Sequence, residues 1–397
     1  MAIHLDIIGI DDSSIPSLSD QVKGIIARGR IFSGGARHHQ IVRAMLPEGS
    51  EWINIVPPME SLMESYRGHT HIVVFASGDP LFFGFAQSVQ RLLPDARITT
   101  YPHFNSLQQL AHRISMPYQH MHNVSLTGRA WDRFDEALIC GYETIGVLTD
   151  RRDHTPQRIA QRMVEYGYTN YSVTVGELLG NDKERISTIS PEEVVGREFA
   201  YPNNIILRRK SRRERHFGIA DNLFELLDGR ERMITKMPIR LATLSQLSLH
   251  SAQTFWDIGF CTGSVSIEAK LQFPHLRVEA FEIREGCDAI IEENMRRFGT
   301  PGINYRIGDF TKLDLSVLNI PRPDAIFIGG HGGHLGQIVD NVSPLLRPGG
   351  AVVFNSVSQQ SHDDFIDAAT RCGLQIVNRI SIKVDEYNPI TIIKAVK

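Results

Sequence analysis

Short apolar runs alternate with longer helix-like segments along the whole chain, and few folds accommodate such an order. Residues 5–10, 71–76 and 144–149 are bounded by Gly, Pro or Asp and predict buried strands. Residues 156–166 predict a helix that begins with a proline after the N-cap candidate Thr155. Strands that alternate with helices in this way indicate an α/β fold built on mostly parallel sheets.

The second half of the chain repeats this pattern from Gln253 onward. The predicted strands are, in chain order, residues 254–258, 277–283, 325–328, 351–355 and 374–382. We expect the last of these to form an antiparallel hairpin with residues 390–394 at the edge of a sheet.

A basic run at residues 208–215 is the sharpest change in composition. The length of 397 residues favours two domains, so we predict domains at residues 1–210 and 223–397 with a basic linker at residues 211–222. A nucleic-acid grip is the alternative for this run, but no aromatic residues interleave with its charges as base stacking requires. With 42 Lys and Arg against 45 Asp and Glu, the net charge of −3 does not favour nucleic-acid binding either.

The cysteine pattern and the hydropathy predict a reduced protein without membrane spans. Cys140, Cys261, Cys287 and Cys372 show no CxxC spacing, so neither a disulfide framework nor a structural zinc site is expected. No apolar run approaches the roughly 18 residues of a spanning helix, and the first residues lack the features of a signal peptide. We therefore expect a cytoplasmic protein.

Residues 255–268 form the strongest candidate for a ligand site. A predicted strand runs into a turn containing Gly259 and Gly263, which opens directly into a helix and lets backbone N–H groups approach a ligand. Glu282 lies near the end of the next predicted strand, where an acid can accept both hydroxyls of a ribose. The turn lacks the Gly-x-Gly-x-x-Gly pattern of nicotinamide enzymes. A tight turn without a ligand is the alternative for the glycines taken alone.

Several single side chains near this turn admit more than one role. Cys261 is a candidate nucleophile, but no basic residue lies nearby in the sequence, which favours a small residue tolerated in the turn. His331 and His334 follow another predicted strand and are candidates for substrate contact or acid–base chemistry. Solvated histidines in a flexible glycine turn are the alternative, and no metal is predicted because no third ligand is evident.

Other histidines occur in close pairs. These pairs are His38 with His39, His69 with His71, and His120 with His122. No acid or cysteine in the neighbouring sequence completes a ligand set, so we predict hydrogen-bonded or surface histidines rather than a metal site.

The second half resembles a class I S-adenosylmethionine methyltransferase, and more closely the C15-methylating, decarboxylating enzymes of corrin biosynthesis. The segments that carry this resemblance are residues 234–236, 256–259, 262–268 and 327–330. It extends over residues 217–397 and implies a Rossmann-like domain. Cys261 departs from the glycine usual at that position, and Phe310 from the usual alanine.

The first half resembles the class III tetrapyrrole methyltransferases, which have two α/β lobes. A capped βα loop is the simpler explanation for residues 76–84 alone, but further segments match in the same order. They are residues 5–10, 102–108, 126–129, 175–180 and 201–204. The chain as a whole therefore resembles the fused precorrin-6Y C5,15-methyltransferase (decarboxylating) family of cobalamin biosynthesis.

The resemblance implies S-adenosylmethionine as cofactor and places its contacts on matching positions. In the first domain these are Gly78, Asp79, Phe82, Asn105, Ser106, Thr149 and Gly176. In the second they are Thr235, Gly259, Phe260, Cys261, Thr262, Gly263, Glu282, Asp309 and Phe310.

The family also implies a division of labour and a substrate. The first domain is expected to methylate carbon 5, and the second carbon 15 with loss of the ring C acetate carboxyl, on a precorrin that is free or carries cobalt. Candidates for holding the carboxylates of this tetrapyrrole are Arg37, Arg129, Arg240, His331 and His334. A homo-oligomer is expected, without nucleic-acid or membrane partners. The alternatives are an RNA methyltransferase and a cofactor-binding scaffold with one inactive domain.

Overall fold

A computed structural model describes residues 2–13, 16–228, 230, 233–315 and 317–397 of the chain. Three β-sheets flanked by helices account for most of them. Among the described helices, none combines the length and the apolar character needed to cross a membrane.

The first sheet is parallel, with strand order β3-β2-β4-β1-β5. Its strands are β1 (His4–Ile10), β2 (Ile31–Gly34), β3 (Glu51–Asn54), β4 (His71–Ser77) and β5 (Arg97–Tyr101). Its helices are α1 (Asp20–Arg28), α2 (Ala36–Val42), α3 (Met59–Tyr66), α4 (Phe85–Leu92) and α5 (Ser106–Arg113). Leu5 and Ile7 pack into one hydrophobic cluster while Ile8 and Ile10 pack into another, which explains the continuous apolar run of β1.

The second sheet is mostly antiparallel, so the prediction of mostly parallel sheets is wrong here. Its strands are β6 (His122–Ser125), β7 (Thr144–Leu148), β8 (Tyr171–Glu177), β9 (Arg185–Ile189) and β10 (Asn203–Arg209). Its helices are α6 (Asp132–Cys140), α7 (Pro156–Glu165) and α8 (Pro191–Val195). The order is β6-β7-β10-β8-β9, in which β6 and β7 are parallel and the other three pairs are antiparallel. Residues 178–184, between β8 and β9, are too few for the crossover that a parallel pair requires.

The third sheet has the order β13-β12-β11-β14-β15-β17-β16. Its strands are β11 (Thr254–Ile258), β12 (Arg277–Glu282), β13 (Ile303–Ile307), β14 (Ala325–Ile328), β15 (Ala351–Ser356), β16 (Gln375–Ile382) and β17 (Ile390–Val396). Its helices are α9 (Met237–Gln246), α10 (Ser264–Gln272), α11 (Cys287–Phe298), α12 (Leu335–Val342) and α13 (Gln359–Arg371). β17 runs antiparallel to both β15 and β16, which confirms the predicted hairpin.

The chain divides into two compact units that are not contiguous in sequence. The first comprises Met1–Arg129, Glu143–Gln161 and Tyr171–Lys210. The second comprises Ala130–Tyr142, Arg162–Asn170 and Ser211–Lys397. Within the second unit, the Arg213 guanidinium lies 4.7 Å from the centre of the Tyr168 ring and donates a hydrogen bond to the Tyr166 carbonyl.

Candidate functional site

The glycine turn of the second unit lies where the third sheet reverses its strand order. β11 and β14 are neighbours there, and a crevice forms beyond the carboxyl ends of such strands. Gly259 follows β11 with a φ of +80°, and a Cβ at this position would lie 2.4 Å from the Gly330 nitrogen. Only glycine therefore lets the turns after β11 and β14 approach this closely.

Hydrogen bonds to β12 fix the shape of the turn. The Gly259 N–H donates to the Phe281 carbonyl at 2.7 Å, and the Cys261 N–H donates to Glu282 Oε2 at 2.9 Å. Gly263, with a φ of +72°, then starts α10, and its carbonyl accepts the Ile267 N–H. These contacts confirm the predicted strand–turn–helix geometry.

Glu282 is buried, and most of its acceptor sites are already filled by hydrogen bonds from neighbouring groups. Its Oε1 accepts the backbone N–H groups of Ile283 and Arg284 and also the Arg284 guanidinium at 2.9 Å. Its Oε2 accepts the Cys261 N–H, and a carboxylate oxygen has room for one further donor. Glu282 therefore combines a structural role with a remaining acceptor site.

Two cavities meet at the Gly259 turn. The larger, of about 450 Å³, is lined by Thr235, Lys236, Phe260, Cys261 and Tyr387, among others. The smaller, of about 60 Å³, is lined by Glu282, Asp309, Phe310, His331 and His334, among others. Both are lined by Gly259, Arg284 and Gly330, so the narrow gap between the two glycine turns joins them. Thr262 and Gly263 belong to the turn but line neither of these cavities.

His331 and His334 lie on the side of the smaller cavity. Burial is the main cause that lowers the pKa of His331 below its usual value, which favours the neutral imidazole. His334 is the residue before α12, and its side chain lines the same cavity. The histidines thus accompany the predicted cofactor residues Glu282 and Phe310 rather than Lys236, and their contact with substrate stays a prediction.

Cys261 has a buried thiol neighbour that the sequence did not indicate. Its side chain forms a hydrogen bond with Cys287, which begins α11 and is also buried. This bond lowers the pKa of the Cys261 thiol and raises that of Cys287. The two cysteines are 26 positions apart, and the turn and α11 meet only in the folded domain.

Arg240 does not face either cavity, so its predicted contact with a substrate carboxylate is wrong. Its guanidinium is fully buried and forms ion pairs with Glu268 at 3.1 Å and Asp221 at 3.2 Å. It also donates to the Thr235 carbonyl at 2.8 Å. A buried guanidinium needs such partners, and this one positions Thr235 at the wall of the larger cavity.

A second glycine junction lies in the first unit, beyond the ends of β1, β4 and β5. Gly78 has a φ of +60°, donates to the Ile10 carbonyl at 2.8 Å and accepts the His103 N–H at 3.2 Å. A Cβ at Gly78 would lie 2.7 Å from the Asn105 Cα. Asn105 in turn caps α5 by accepting the Gln108 N–H at 2.9 Å, so the cap and the glycine turn are built together.

Helix α5 brings most of the other predicted residues of the first unit to this junction. Ser106 is its first residue, and Phe82 packs against the cluster formed by Leu107 and Leu110. A Cβ at Gly176 would lie 2.9 Å from the Leu110 side chain, so β8 also approaches the helix closely.

Asp79 and Thr149 are held by local hydrogen bonds. Asp79 accepts the Leu81 N–H at 2.9 Å and shapes the loop after Gly78. The Thr149 hydroxyl donates to the Asn203 carbonyl at 2.6 Å, and its own carbonyl accepts the Thr127 hydroxyl. Thr149 is therefore fixed at the end of β7 within the second sheet.

Arg37 and Arg129, the two arginines of the first unit predicted to hold substrate carboxylates, lie beside Ser77 and Phe83 respectively. Arg37 donates to the Ser77 hydroxyl at 3.0 Å, and the Arg129 guanidinium lies 5.1 Å from the centre of the Phe83 ring. His38, which the sequence did not single out for this site, also contacts the Ser77 hydroxyl at 2.9 Å. Its burial, together with the charge of Arg37, lowers the pKa of His38 to about 4.

Comparison with known proteins covers both halves of the chain. Residues 25–194 match the family model "Tetrapyrrole (Corrin/Porphyrin) Methylases", and residues 227–396 match "Precorrin methyltransferase domain". The chain is 30% identical over 383 residues to a precorrin-6Y C(5,15)-methyltransferase [decarboxylating] from Sinorhizobium sp, covering 95% of this chain and 90% of that protein.

Two further matches each cover less than half of the chain. A cobalt-precorrin-6B C(15)-methyltransferase (decarboxylating) from Salmonella typhimurium is 33% identical, over 43% of this chain and 85% of that protein. A crystal structure of precorrin-6y C5,15-methyltransferase from Geobacter metallireducens is 30% identical, with a TM-score of 0.40 over 46% of this chain and 98% of that one. Because the Sinorhizobium match extends across both glycine junctions, the chain belongs to the precorrin-6Y C(5,15)-methyltransferase (decarboxylating) family.

Proposed function

We propose that the chain uses S-adenosylmethionine to methylate carbons 5 and 15 of precorrin-6Y, or of its cobalt form, and removes the carboxyl group of the ring C acetate. One observation carries the proposal: each unit has a glycine junction beyond the carboxyl ends of its strands where no side chain fits, at Gly78 in the first and at Gly259 in the second. Two such junctions match the two methylations in the name of the full-length relative.

The two cavities at the Gly259 turn fit a nucleoside cofactor. The gap between Gly259 and Gly330 joins a small cavity, lined by Glu282 and Asp309 among others, to a larger one, and a Cβ on Gly259 would close it. Glu282, Asp309 and Phe310 would hold the adenosine end, while Thr235 and residues 259–261 would hold the other. Thr262 and Gly263 would support the turn from behind. When bound, S-adenosylmethionine supplies a methyl group already activated by its sulfonium. The protein therefore has to position the accepting carbon and exclude water.

At the Gly78 junction, the corresponding residues of the first unit would bind the cofactor. These are Gly78, Asp79, Phe82, Asn105, Ser106, Thr149 and Gly176. We assign methylation of carbon 5 to residues 1–210 and methylation of carbon 15 with decarboxylation to residues 223–397, with residues 211–222 between them.

The larger cavity of the second unit is the proposed seat of the tetrapyrrole. Ile239, Ile382 and Val384 give it apolar walls, and Lys236 with Arg284 supplies positive charge for carboxylates. The Lys236 ammonium lies 3.7 Å from Asp221 and 5.7 Å from the centre of the Tyr387 ring, so it is oriented at the cavity wall.

Decarboxylation follows from the same arrangement. As the acetate loses CO₂, the electron pair of the broken C–C bond passes into the conjugated macrocycle, which later takes up a proton. The apolar walls keep water from the carboxylate, and the cations hold the other acid groups in place.

The RNA methyltransferase alternative has weaker support. Its grounds are the resemblance to class III folds, some of which modify ribosomal RNA, and the basic run at residues 208–215. Within that run, Arg213 donates a hydrogen bond to the Tyr166 carbonyl and packs against the Tyr168 ring inside the second unit. A homo-oligomer remains part of the proposal, on the resemblance alone.

The test is the mass of the product after incubation of the purified chain with S-adenosylmethionine and precorrin-6Y. A gain of two methyl groups with loss of one CO₂ is expected. A single methyl without decarboxylation would overturn the assignment of the second unit. No change in mass with either the free or the cobalt macrocycle would overturn the proposal as a whole.

A further inference from the structure

Three side chains on the first sheet form a compact group at the opposite ends of the strands from the Gly78 junction. His4 and Asp6 lie on β1, and His71 begins β4. The parallel register places His4 beside His71, and the two-residue repeat of a strand puts Asp6 on the same face. One ligating atom from each side chain lies within 4.8 Å of the other two.

The spacing of these atoms suits a small divalent ion. His71 Nε2 lies 2.8 Å from Asp6 Oδ2, and His4 Nε2 lies 3.5 Å from Asp6 Oδ1. A tetrahedral ion with bonds of about 2.0–2.1 Å separates its ligand atoms by about 3.3 Å. Small rotations of the two imidazoles are therefore sufficient to bring all three atoms onto one ion.

Burial and the neighbouring strand favour a bound ion over three unrelated side chains. The Asp6 side chain is only 8% exposed, whereas the side chains of His4 and His71 are 35% and 39% exposed. The carboxylate is thus fixed while the imidazoles leave a route from solvent and room for a water ligand. On β5, Thr99 Oγ1 lies 3.0 Å from His4 Nε2 and the Tyr101 hydroxyl 3.5 Å from Asp6, which completes a polar surround.

We propose that His4, Asp6 and His71 bind a divalent transition-metal ion, with Zn²⁺ as the preferred ion and water as the fourth ligand. Two imidazoles with one carboxylate suit zinc and its neighbours, whereas Mg²⁺ and Ca²⁺ prefer oxygen ligands throughout.

The position on the strands defines the role of the ion. His4 and His71 begin their strands, while the glycine junction, where Gly9 approaches Gly78, lies at the other ends, about 20 Å away at 3.3 Å per residue. An ion at this distance does not contact the reacting atoms. The ion links β1 to β4 and stabilises the unit that contains the Gly78 junction.

No local sequence pattern indicates this group, because His71 is far from His4 and Asp6 in the chain. His69 and His71 are near neighbours in the chain, and no acid in the sequence around them completes a ligand set. The acid is Asp6, 65 positions earlier, and only the parallel pairing of β1 with β4 brings it to His71. The prediction of no metal rested on that missing third ligand.

Metal binding is tested on the full chain without an affinity tag, after treatment with a chelator. Titration with Co²⁺, which reports tetrahedral ligation by its visible absorption, and competition by Zn²⁺ are expected to give one site per chain. His71→Ala and His4→Ala are each expected to weaken binding at least roughly 100-fold. His120→Ala, on an exposed loop residue of the same unit, is the matched control and is expected to bind like the parent.

A second readout separates a site from a merely hydrogen-bonded cluster. Zn²⁺ is expected to raise the melting temperature of the parent and of His120→Ala, but not of His71→Ala. The proposal is overturned if the parent binds no Co²⁺ or Zn²⁺, or if His71→Ala and His4→Ala bind with the parent's affinity. Asp6→Asn adds a third variant, and if it fails to fold, the two histidine variants decide.

Discussion

The Cys261 N–H donates to Glu282 Oε2 at 2.9 Å, so the carboxylate expected to hold a ribose also holds the turn that follows β11. Its other oxygen is occupied by Ile283 and Arg284. Glu282 thus supports the glycine turn and lines the smaller cavity at the same time. A substitution that removes its charge or an acceptor oxygen is expected to disturb both the turn and ligand binding in the cavity.

Glu282→Gln is therefore expected to weaken cofactor binding in the second unit tenfold or more. The amide oxygen can replace Oε1, but its NH₂ group then faces the Cys261 N–H, and a buried donor left without an acceptor costs about 1–3 kcal/mol. Calorimetric titration with S-adenosylmethionine measures the effect. Glu285→Gln, on an exposed acid three residues further on, is the control, and equal affinities for the two variants would contradict the assignment.

Gly259→Ala is expected to abolish methylation at carbon 15 and the decarboxylation. The new Cβ would lie 2.4 Å from the Gly330 nitrogen, and the φ of +80° adds backbone strain. Gly286→Ala has a φ of +85° with no atom within 4 Å, so it carries the strain without the collision. Product masses of the two variants separate the effects, and comparable activity would show that the gap is not needed.

The sequence predicted the third sheet better than the second because its pattern is local. Residues 254–258 and 325–328 are short, mainly apolar runs that end in glycine turns, and each forms a strand with those bounds. The antiparallel pairing of β10 with β7 and β8 joins segments separated by tens of residues. No periodicity within a strand records which distant strand it joins.

The candidate site shows the same division. The turn around Gly259 and its connection to Glu282 followed from spacing, because a strand, a turn and a neighbouring strand fix one another. The predicted contact of Arg240 with substrate was wrong because a sequence shows a charge but not its burial. In the structure the guanidinium forms ion pairs with Glu268 and Asp221. The Cys287 contact to Cys261 depends on how α11 packs against the turn, which composition cannot reveal.

Gly78→Ala is expected to remove methylation at carbon 5 and leave the chemistry of the second unit intact. The added Cβ would lie 2.7 Å from the Asn105 Cα, which displaces the cap of α5 from the glycine turn. The measurement is the mass gained by a macrocycle offered to the variant, with one methyl fewer than the parent adds.

Gly49→Ala is the matched control for that variant. Its φ of +73° lies in the same left-handed region as that of Gly78, yet no atom lies within 4 Å of its new Cβ. It is expected to keep both methylations. Loss of the carbon 15 methyl and of CO₂ together with the carbon 5 methyl in Gly78→Ala would contradict independent sites.

Asp257, on β11 below the turn, is expected to make stability depend on pH. Burial raises its pKa from 3.8 to about 7, although it accepts a 2.6 Å hydrogen bond from the Ser266 hydroxyl. The raised pKa means that the folded state keeps a proton that the unfolded state releases. Its contribution to stability is therefore fully present below about pH 4, declines as the pH rises towards 7 and is constant above that.

Asp257→Asn removes this dependence because the amide does not ionise. Between pH 5 and 7, the free energy of unfolding of the parent relative to this variant is expected to fall by up to about 1.4 kcal/mol per pH unit. Urea unfolding followed by Trp256 fluorescence, in a background with Trp52→Phe and Trp131→Phe, reports on the second unit. Asp367→Asn, on an exposed residue of α13, serves as the control. A difference between parent and Asp257→Asn that does not change with pH would show that Asp257 is ionised throughout this range.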